Sequence, residues 1–226
     1  MVSMEDQNKT GASPNRRQDI MDHAIDLFLM RGYAGTSMAD LARACGIQKA
    51  SLYHHFASKD ALFVSCVTEG YEAATRLLEH IRDDASLSDT DRIRKAIATL
   101  YGVIVDSPVG RMSPLIAEVG MQMPEVASRF YEVFMRNQHD VLNEIIDKGL
   151  TNGTFRAHDR LGMEHMVFGP IVTLSLSREM LASSDRRDEF FPVDAIRKSH
   201  TAMILTLLGQ IGGAQEEASG TMIAQN

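Results

Sequence analysis

Lys49 and Lys59, with Tyr53, His54 and His55 between them, stand in a stretch that contains no acidic residue from Leu41 through Lys59. The chain as a whole carries a formal charge of −7, so this stretch is a local exception. Hydrogen-bond donors and cations without competing carboxylates suit contact with a polyanion. The spacing of the stretch, two short helices joined at a glycine, points to the DNA major groove as that polyanion.

Other residue types raise other chemistry and then fail on spacing. There are eight histidines and two cysteines. His54 and His55 are neighbours, so on a helix they diverge and make no chelate. His80, His139, His158, His165 and His200 stand alone in sequence and read as structural or solvated. Cys45 and Cys66 form no metal-binding pair and read as two reduced, buried thiols. The chain has no HExxH helix, no glycine-rich phosphate loop and no nucleophile elbow. No catalytic residue, metal site or cofactor is therefore expected.

The elements that must position the acid-free stretch are all helical. Of the 226 residues, 44% are hydrophobic and 23% charged, which supplies a core and excludes global disorder. Tryptophan is absent and aromatic content is 6%, which fits a helical chain better than a β-sandwich. The first residues, MVSMEDQNKTGASPN, have no apolar centre and are not a secretory signal. No apolar run approaches the ~20 residues of a membrane span. The expectation is a soluble, cytoplasmic protein with no membrane partner.

A polar tail over 1–12 precedes a first helix that starts at Ser13-Pro14, buries Ile20, Ala24, Leu27 and Phe28, and closes at Gly32. Arg16 and Arg17 sit in its first turn, where positive charge opposes the helix dipole. They serve either as phosphate contacts or as solvated arginines offset by Asp19. Ser37 and Asp40 resemble a capping box at the head of a second helix, with Asp in place of the usual Glu. Met38, Leu41, Ala42 and Cys45 form its buried face, and Gly46 ends it. A third helix over 48–55 buries Leu52 and leads to buried Phe56. A fourth, capped by Ser58, carries the stripe Leu62, Phe63, Val67, Tyr71, Ala74, Leu78 and Ile81. A loop at 84–89, helices near 90–106, 111–120, 124–149, 159–184 and 194–212, and a turn at 151–155 complete the pattern. Gly169-Pro170 should kink or interrupt its helix, because proline removes an internal hydrogen bond. The fold class is all-α with about nine helices. A helix-turn-helix domain over 13–60 joins through a long helix to a bundle over 61–212, followed by a disordered tail over 213–226.

In this arrangement Leu41, Ile47 and Leu52 form the wedge between the second and third helices, and Ala42 lets them approach. Gln48, Lys49, Ser51 and His54 are left on the outer face, where they meet base edges or phosphates; for Lys49 both remain open. Tyr53 and Lys59 flank the helix within reach of phosphates. The run Tyr33-Ala34-Gly35-Thr36-Ser37-Met38-Ala39-Asp40-Leu41-Ala42, with Gly46-Ile47, Leu52-Tyr53-His54-His55-Phe56 and Ser58-Lys59-Asp60-Ala61-Leu62, closely resembles the signature of the tetracycline-repressor (TetR) family of bacterial transcriptional regulators. The resemblance covers roughly residues 15–65. It implies that Thr36 or Ser37 caps the second helix and touches phosphate. It further implies that Gln48, Lys49, Ala50 and Ser51 face base edges, that Tyr53 and His54 contact the backbone, and that Lys59 binds phosphate. Many relatives carry Ser or Thr and then a small residue where this chain has Gln48-Lys49-Ala50, so no relative's operator sequence transfers to it.

The same resemblance implies a repressor released from a palindromic operator on double-stranded DNA by a small-molecule effector in the C-terminal bundle. Tyr101, Met121, Phe134, Gln138 and Phe168 are candidate lining residues, against the alternative that they are simply core. One short helix reads only a few base pairs, so a homodimer is expected. Its candidate interface is Met166, Ile171, Leu174, Ala202, Met203, Leu205 and Leu208, with intrachain packing as the alternative. Two other readings stay open: a DNA-binding regulator controlled by a protein partner without a small-molecule ligand, and an all-α enzyme or metal-binding protein.

Overall fold

The computed structural model describes residues 14–209, with the backbone alone at Pro14, Asn15, Arg129, Val133 and Phe134. The readings for 1–12 and 213–226, and the cap at Ser13, lie outside the described residues. Eleven α-helices and no strand occur among the described residues, as an all-α chain requires. The chain divides into two units, the first ending at Cys66 and the second beginning at Val67. The division falls within a helix, six positions after the sequence boundary at residue 60 (66 − 60).

In the first unit, α1 (Pro14–Arg31) buries Ile20, Ala24, Leu27 and Phe28 on one face. Gly32 ends it at φ 72°, a left-handed turn that glycine enters without a Cβ penalty. Helices α2 (Met38–Ala44) and α3 (Lys49–His55) follow, and α4 (Lys59–Asp83) begins in this unit. Phe28, Tyr33 and Phe63 pack ring to ring, with centroids 5.0–5.8 Å apart. Cys45 and Cys66 are buried free thiols, and burial pushes the Cys45 thiol up from its usual range.

The second unit contains the rest of α4, then α5 (Asp89–Tyr101), α6 (Ser113–Gln122), α7 (Pro124–Phe130), α8 (Arg136–Thr151), α9 (Arg160–Met180), α10 (Arg187–Phe190) and α11 (Val193–Leu208). The helix expected over 90–106 leaves α geometry at Gly102 and continues as a π-helical segment to Asp106. The helix expected over 124–149 contains a second π segment at Tyr131–Met135, between α7 and α8. That break, and the four-residue α10, account for the count above nine. The last helix ends at Leu208 rather than at 212, because Gly209 takes a left-handed conformation at φ 59°.

Leu78, Ile93, Ile97, Leu100, Leu142, Ile145, Val167, Ile171, Ile204 and Leu208 form one apolar cluster. Two polar features secure it. Asp89, at the head of α5, accepts hydrogen bonds from Arg92 (2.9 Å), Asn152 (3.0 Å) and Thr154 (2.7 Å). Burial opposes its ionisation, but the bonds from Asn152 and Thr154 and the Arg92 charge outweigh burial and hold the carboxyl below its usual range. The turn after α8 is thereby tied to α5. Gly149 lets that turn close: a Cβ there would clash with the Phe155 ring.

Of the two outcomes expected at Pro170, an interruption does not occur; α9 runs unbroken from Arg160 to Met180. The reason lies one turn back. Proline has no N–H for the carbonyl of Met166, and that carbonyl is taken instead by His200 Nε2 of α11 at 2.9 Å. Nε2 must donate there, so in the neutral ring Nδ1 accepts, and the Tyr101 hydroxyl donates to it at 3.0 Å. Burial lowers the pKa of His200 from its usual value, against the opposing bond to Met166.

A histidine with a depressed folded pKa takes up its proton more readily when unfolded. Its contribution is therefore complete above the unfolded value of about 6.5 and declines as pH falls through and below it. Urea unfolding across this range should show stability falling on the acid side. His200→Gln, which can donate and accept in the same places without titrating, should flatten that slope.

Candidate nucleic-acid interface and effector cavity

The geometry around α2 and α3 starts from buried apolar contacts. Leu41 and Leu52 are fully buried and Ala42 nearly so. Gly46 turns the chain at φ 62°, and the N–H of Ile47 reaches back to the Ala42 carbonyl at 3.0 Å. Ser37 is the N-cap of α2: its hydroxyl accepts from the Asp40 N–H at 3.2 Å, and its own N–H donates to the Asp40 carboxylate at 3.2 Å. Hydrogen bonds from the Ser37 hydroxyl and N–H hold Asp40 below the usual carboxylate range.

This wedge leaves Gln48, Lys49, Ala50, Ser51, Tyr53 and His54 exposed. The α3 helix begins at Lys49, with Gln48 as an N-cap whose side chain makes no cap bond. Lys49 Nζ stands 5.9 Å from the Tyr53 ring centroid, so the two form one cationic, aromatic edge. Ser37 is exposed at the head of α2. Thr36, its alternative as cap and phosphate contact, needs correction: it is buried, and its hydroxyl donates to the Gly32 carbonyl at 2.9 Å. The side chain holds the α1–α2 connection and does not face outward.

Lys59 is half-buried rather than free. Its Nζ donates to the Tyr33 carbonyl at 2.8 Å and lies 4.2 Å from the Tyr33 ring centroid. The Tyr33 hydroxyl bonds to Asp60, and burial, reinforced by that carboxylate, raises the Tyr33 phenol above its usual value. Arg16 and Arg17 are likewise engaged within the unit. Arg16 donates to the Cys45 carbonyl at 2.9 Å, at the end of α2. Arg17 lies 4.6 Å from the Phe56 ring centroid and donates to Ser65 at 3.0 Å. Both arginines brace the domain, a role their positions in the sequence did not reveal because the partners are 29 and 48 residues away.

The second unit contains a cavity of about 540 Å³, lined mainly by apolar side chains from α4, α6, α7, α8 and α9. Met121, Gln138 and Phe168 line it as the sequence proposed; Phe134 lies outside the described side chains. Tyr101 does not line it and is committed to His200 in the core. Tyr71, Ser113, Tyr131 and His139 also line the cavity. The signal for Tyr131 and His139 was present: Tyr131, Met135, Gln138 and His139 follow the i, i+4, i+7, i+8 spacing of one helix face. Both π segments contribute to the wall, through Ile104 in one and Tyr131 and Met135 in the other. A π turn widens a helix locally and recurs at binding sites.

The residues proposed for a subunit interface separate into two groups. Met166 (50% exposed), Met203 (56% exposed) and Ala202 face outward on α9 and α11. Ile171, Leu174, Leu205 and Leu208 need correction: they are buried in this chain's own core and have no surface to offer a second copy. Leu207 is an exposed apolar neighbour on α11, whereas Val172, although 37% exposed, lines the cavity. The helical period explains the error, since a shift of one or two residues moves a side chain from one face to the other.

Two substitutions separate scaffold from contact. Ser37→Ala should lower unfolding stability by about 1 kcal/mol through the lost cap. Lys59→Ala should also lower stability, because the Tyr33 carbonyl loses its donor, whereas Lys49→Ala should leave the urea midpoint unchanged.

Residues 20–66 match the family model described as bacterial regulatory proteins, tetR family. The chain is 25% identical over 126 residues to the HTH-type transcriptional repressor DhaR of Mycobacterium sp. (strain GP1), covering 53% of this chain and 64% of DhaR, just under two thirds. It is 29% identical over 147 residues to the HTH-type transcriptional regulator UidR of Escherichia coli (strain K12), covering 63% of this chain and 68% of UidR. The structure of the transcriptional regulator FadR from Bacillus subtilis in complex with stearoyl-CoA superposes with a TM-score of 0.65, at 16% identity, over 84% of this chain and 97% of FadR, a likeness of fold. The capping box, glycine turn and α3 wedge thus lie inside the segment that matches the tetR family of bacterial regulatory proteins.

Proposed function

We propose that the protein is a homodimeric transcriptional repressor that reads a near-palindromic operator with α3 and is released by a small, largely apolar effector in the cavity of the second unit. The observation that carries the first part is the outer face of α3. Gln48, Lys49, Ser51, Tyr53 and His54 are exposed there, free of acids, on a helix fixed from behind by buried Leu52. Lys and Gln hydrogen-bond to base edges, while Ser37, Tyr53, His54 and Lys59 supply donors for phosphates. Lys59 has further N–H donors beyond the one given to Tyr33. Since few cations are involved, the salt dependence should be moderate.

The dimer is supported by the exposed apolar side chains Met166, Met203 and Leu207 on α9 and α11, which a second copy would bury. Two reading heads on a symmetric site multiply the affinity of one. Effector response is supported by the size and apolar lining of the cavity, and by FadR, whose structure contains stearoyl-CoA. Tyr71 places α4 in the cavity wall, and the same helix begins beside α3 at Lys59. An effector that binds the release-competent state better than the DNA-bound state shifts the population toward release.

Gel-shift titration against the DNA upstream of the protein's own gene, over a series of salt concentrations, tests the reading. Lys49→Ala should weaken binding and, if it contacts phosphate, reduce the salt slope by about one. Gln48→Ala should change the consensus recovered by site selection. An unmodified consensus together with an unchanged slope in both variants would place DNA reading elsewhere.

A further inference from the structure

Gln138 is fully buried on α8, and both atoms of its amide, Nε2 and Oε1, lack a hydrogen-bond partner among the described residues. It lines the cavity described above. Buried polar groups in folded proteins are nearly always paired, so an amide with both ends unpaired is an exception that calls for a ligand. The adjacent His139 also lines the cavity, stacked on Phe168 with centroids 4.2 Å apart. Its Nδ1 stands 3.2 Å from a Glu164 carboxylate oxygen. A carboxylate only accepts, so Nδ1 carries the hydrogen, and in the neutral ring Nε2 is an acceptor. That Nε2 is buried and likewise without a partner among the described residues.

The polar demand of the wall is thus one donor and one acceptor from Gln138, and one further acceptor from His139. No Lys, Arg, Asp or Glu is among the described side chains that line the cavity. A charged headgroup would be desolvated there without a countercharge. We infer that the effector is a neutral, largely apolar molecule carrying one carboxamide-like group, whose carbonyl accepts from Gln138 Nε2 and whose N–H groups serve Gln138 Oε1 and His139 Nε2. This rests on the reading of the cavity as the effector site. It disfavours a carboxylate or acyl-CoA headgroup against these described side chains, although FadR was solved with stearoyl-CoA.

Isothermal titration with four probes of matched chain length tests the inference: decanamide, methyl nonyl ketone, decanoate and decanoyl-CoA. The ketone has the shape of the amide with a methyl in place of the NH₂. Wild-type protein should prefer the amide over the ketone by about ten-fold, the worth of one or two added hydrogen bonds. In Gln138→Met, which keeps the length of the side chain and removes both polar atoms, that preference should fall to about two-fold or less. Gln138→Leu gives the same reading with a different shape, and both variants should melt at or above the wild-type temperature because an unpaired buried amide has been removed. Equal affinity for amide and ketone in the wild type, or a preference unchanged in both variants, overturns the inference and leaves the cavity as an effector site. Tighter binding of decanoate or decanoyl-CoA than of the amide overturns it in favour of a charged ligand. Binding of none of the four overturns both the inference and the effector reading.

Discussion

A seven-residue helix has no stability of its own in water, because nucleation costs more than so few hydrogen bonds return. That constraint organises the first unit. Helix α3 must keep one face open and can be held only from behind and at its ends. Leu52 is inserted into the core, Gly46 and the Ile47 N–H fix the approach from α2, and the Phe56 N–H closes the last turn on Leu52. Helix α2 is equally short and takes its own support from the Ser37–Asp40 box and from Arg16 at its far end. The cations that an isolated reading of charge would assign to DNA are thereby divided. Lys49 is free to reach outward, Arg16 and Arg17 hold the frame that presents it, and Lys59 gives one of its donors to that frame.

Legibility in the sequence followed the range of the interaction. Capping, glycine turns and helical stripes are local, so Ser37, Gly32, Gly46 and the buried face of α1 could be read directly. The outer face of α3 followed from the same periodicity. Side chains that act over long separations could not be read this way. Arg17 meets Ser65, and Tyr101 meets His200 99 residues away. In α9 and α11 the apolar residues nearly surround the helix, so the pattern did not separate core from surface. Ile171 and Leu205 proved to be core while Val172 and Leu207 are exposed.

Two buried polar groups of the second unit contrast. Asp89 is a charge whose acceptors are all engaged by neighbours, and it binds α5 to the turn after α8. Gln138 is neutral and unengaged, and it faces a cavity. The first pattern fixes a structure; the second leaves a demand that something else must meet. For these two residues, where the hydrogen bonds are found separates a structural role from a recognition role more sharply than burial does, since both are nearly inaccessible to solvent.

Pro170 and His200 make a matched pair whose history is constrained. Replacing His200 by an apolar residue leaves the Met166 carbonyl with no donor. Replacing Pro170 by a residue with an N–H offers that carbonyl a second donor, which its second lone pair can accept alongside His200. Only the loss of His200 breaks the hydrogen-bond chain that runs through to Tyr101, so the two positions are not equally constrained. The order of change therefore matters: a lineage that loses His200 keeps the Met166 carbonyl paired only if position 170 has first regained its N–H.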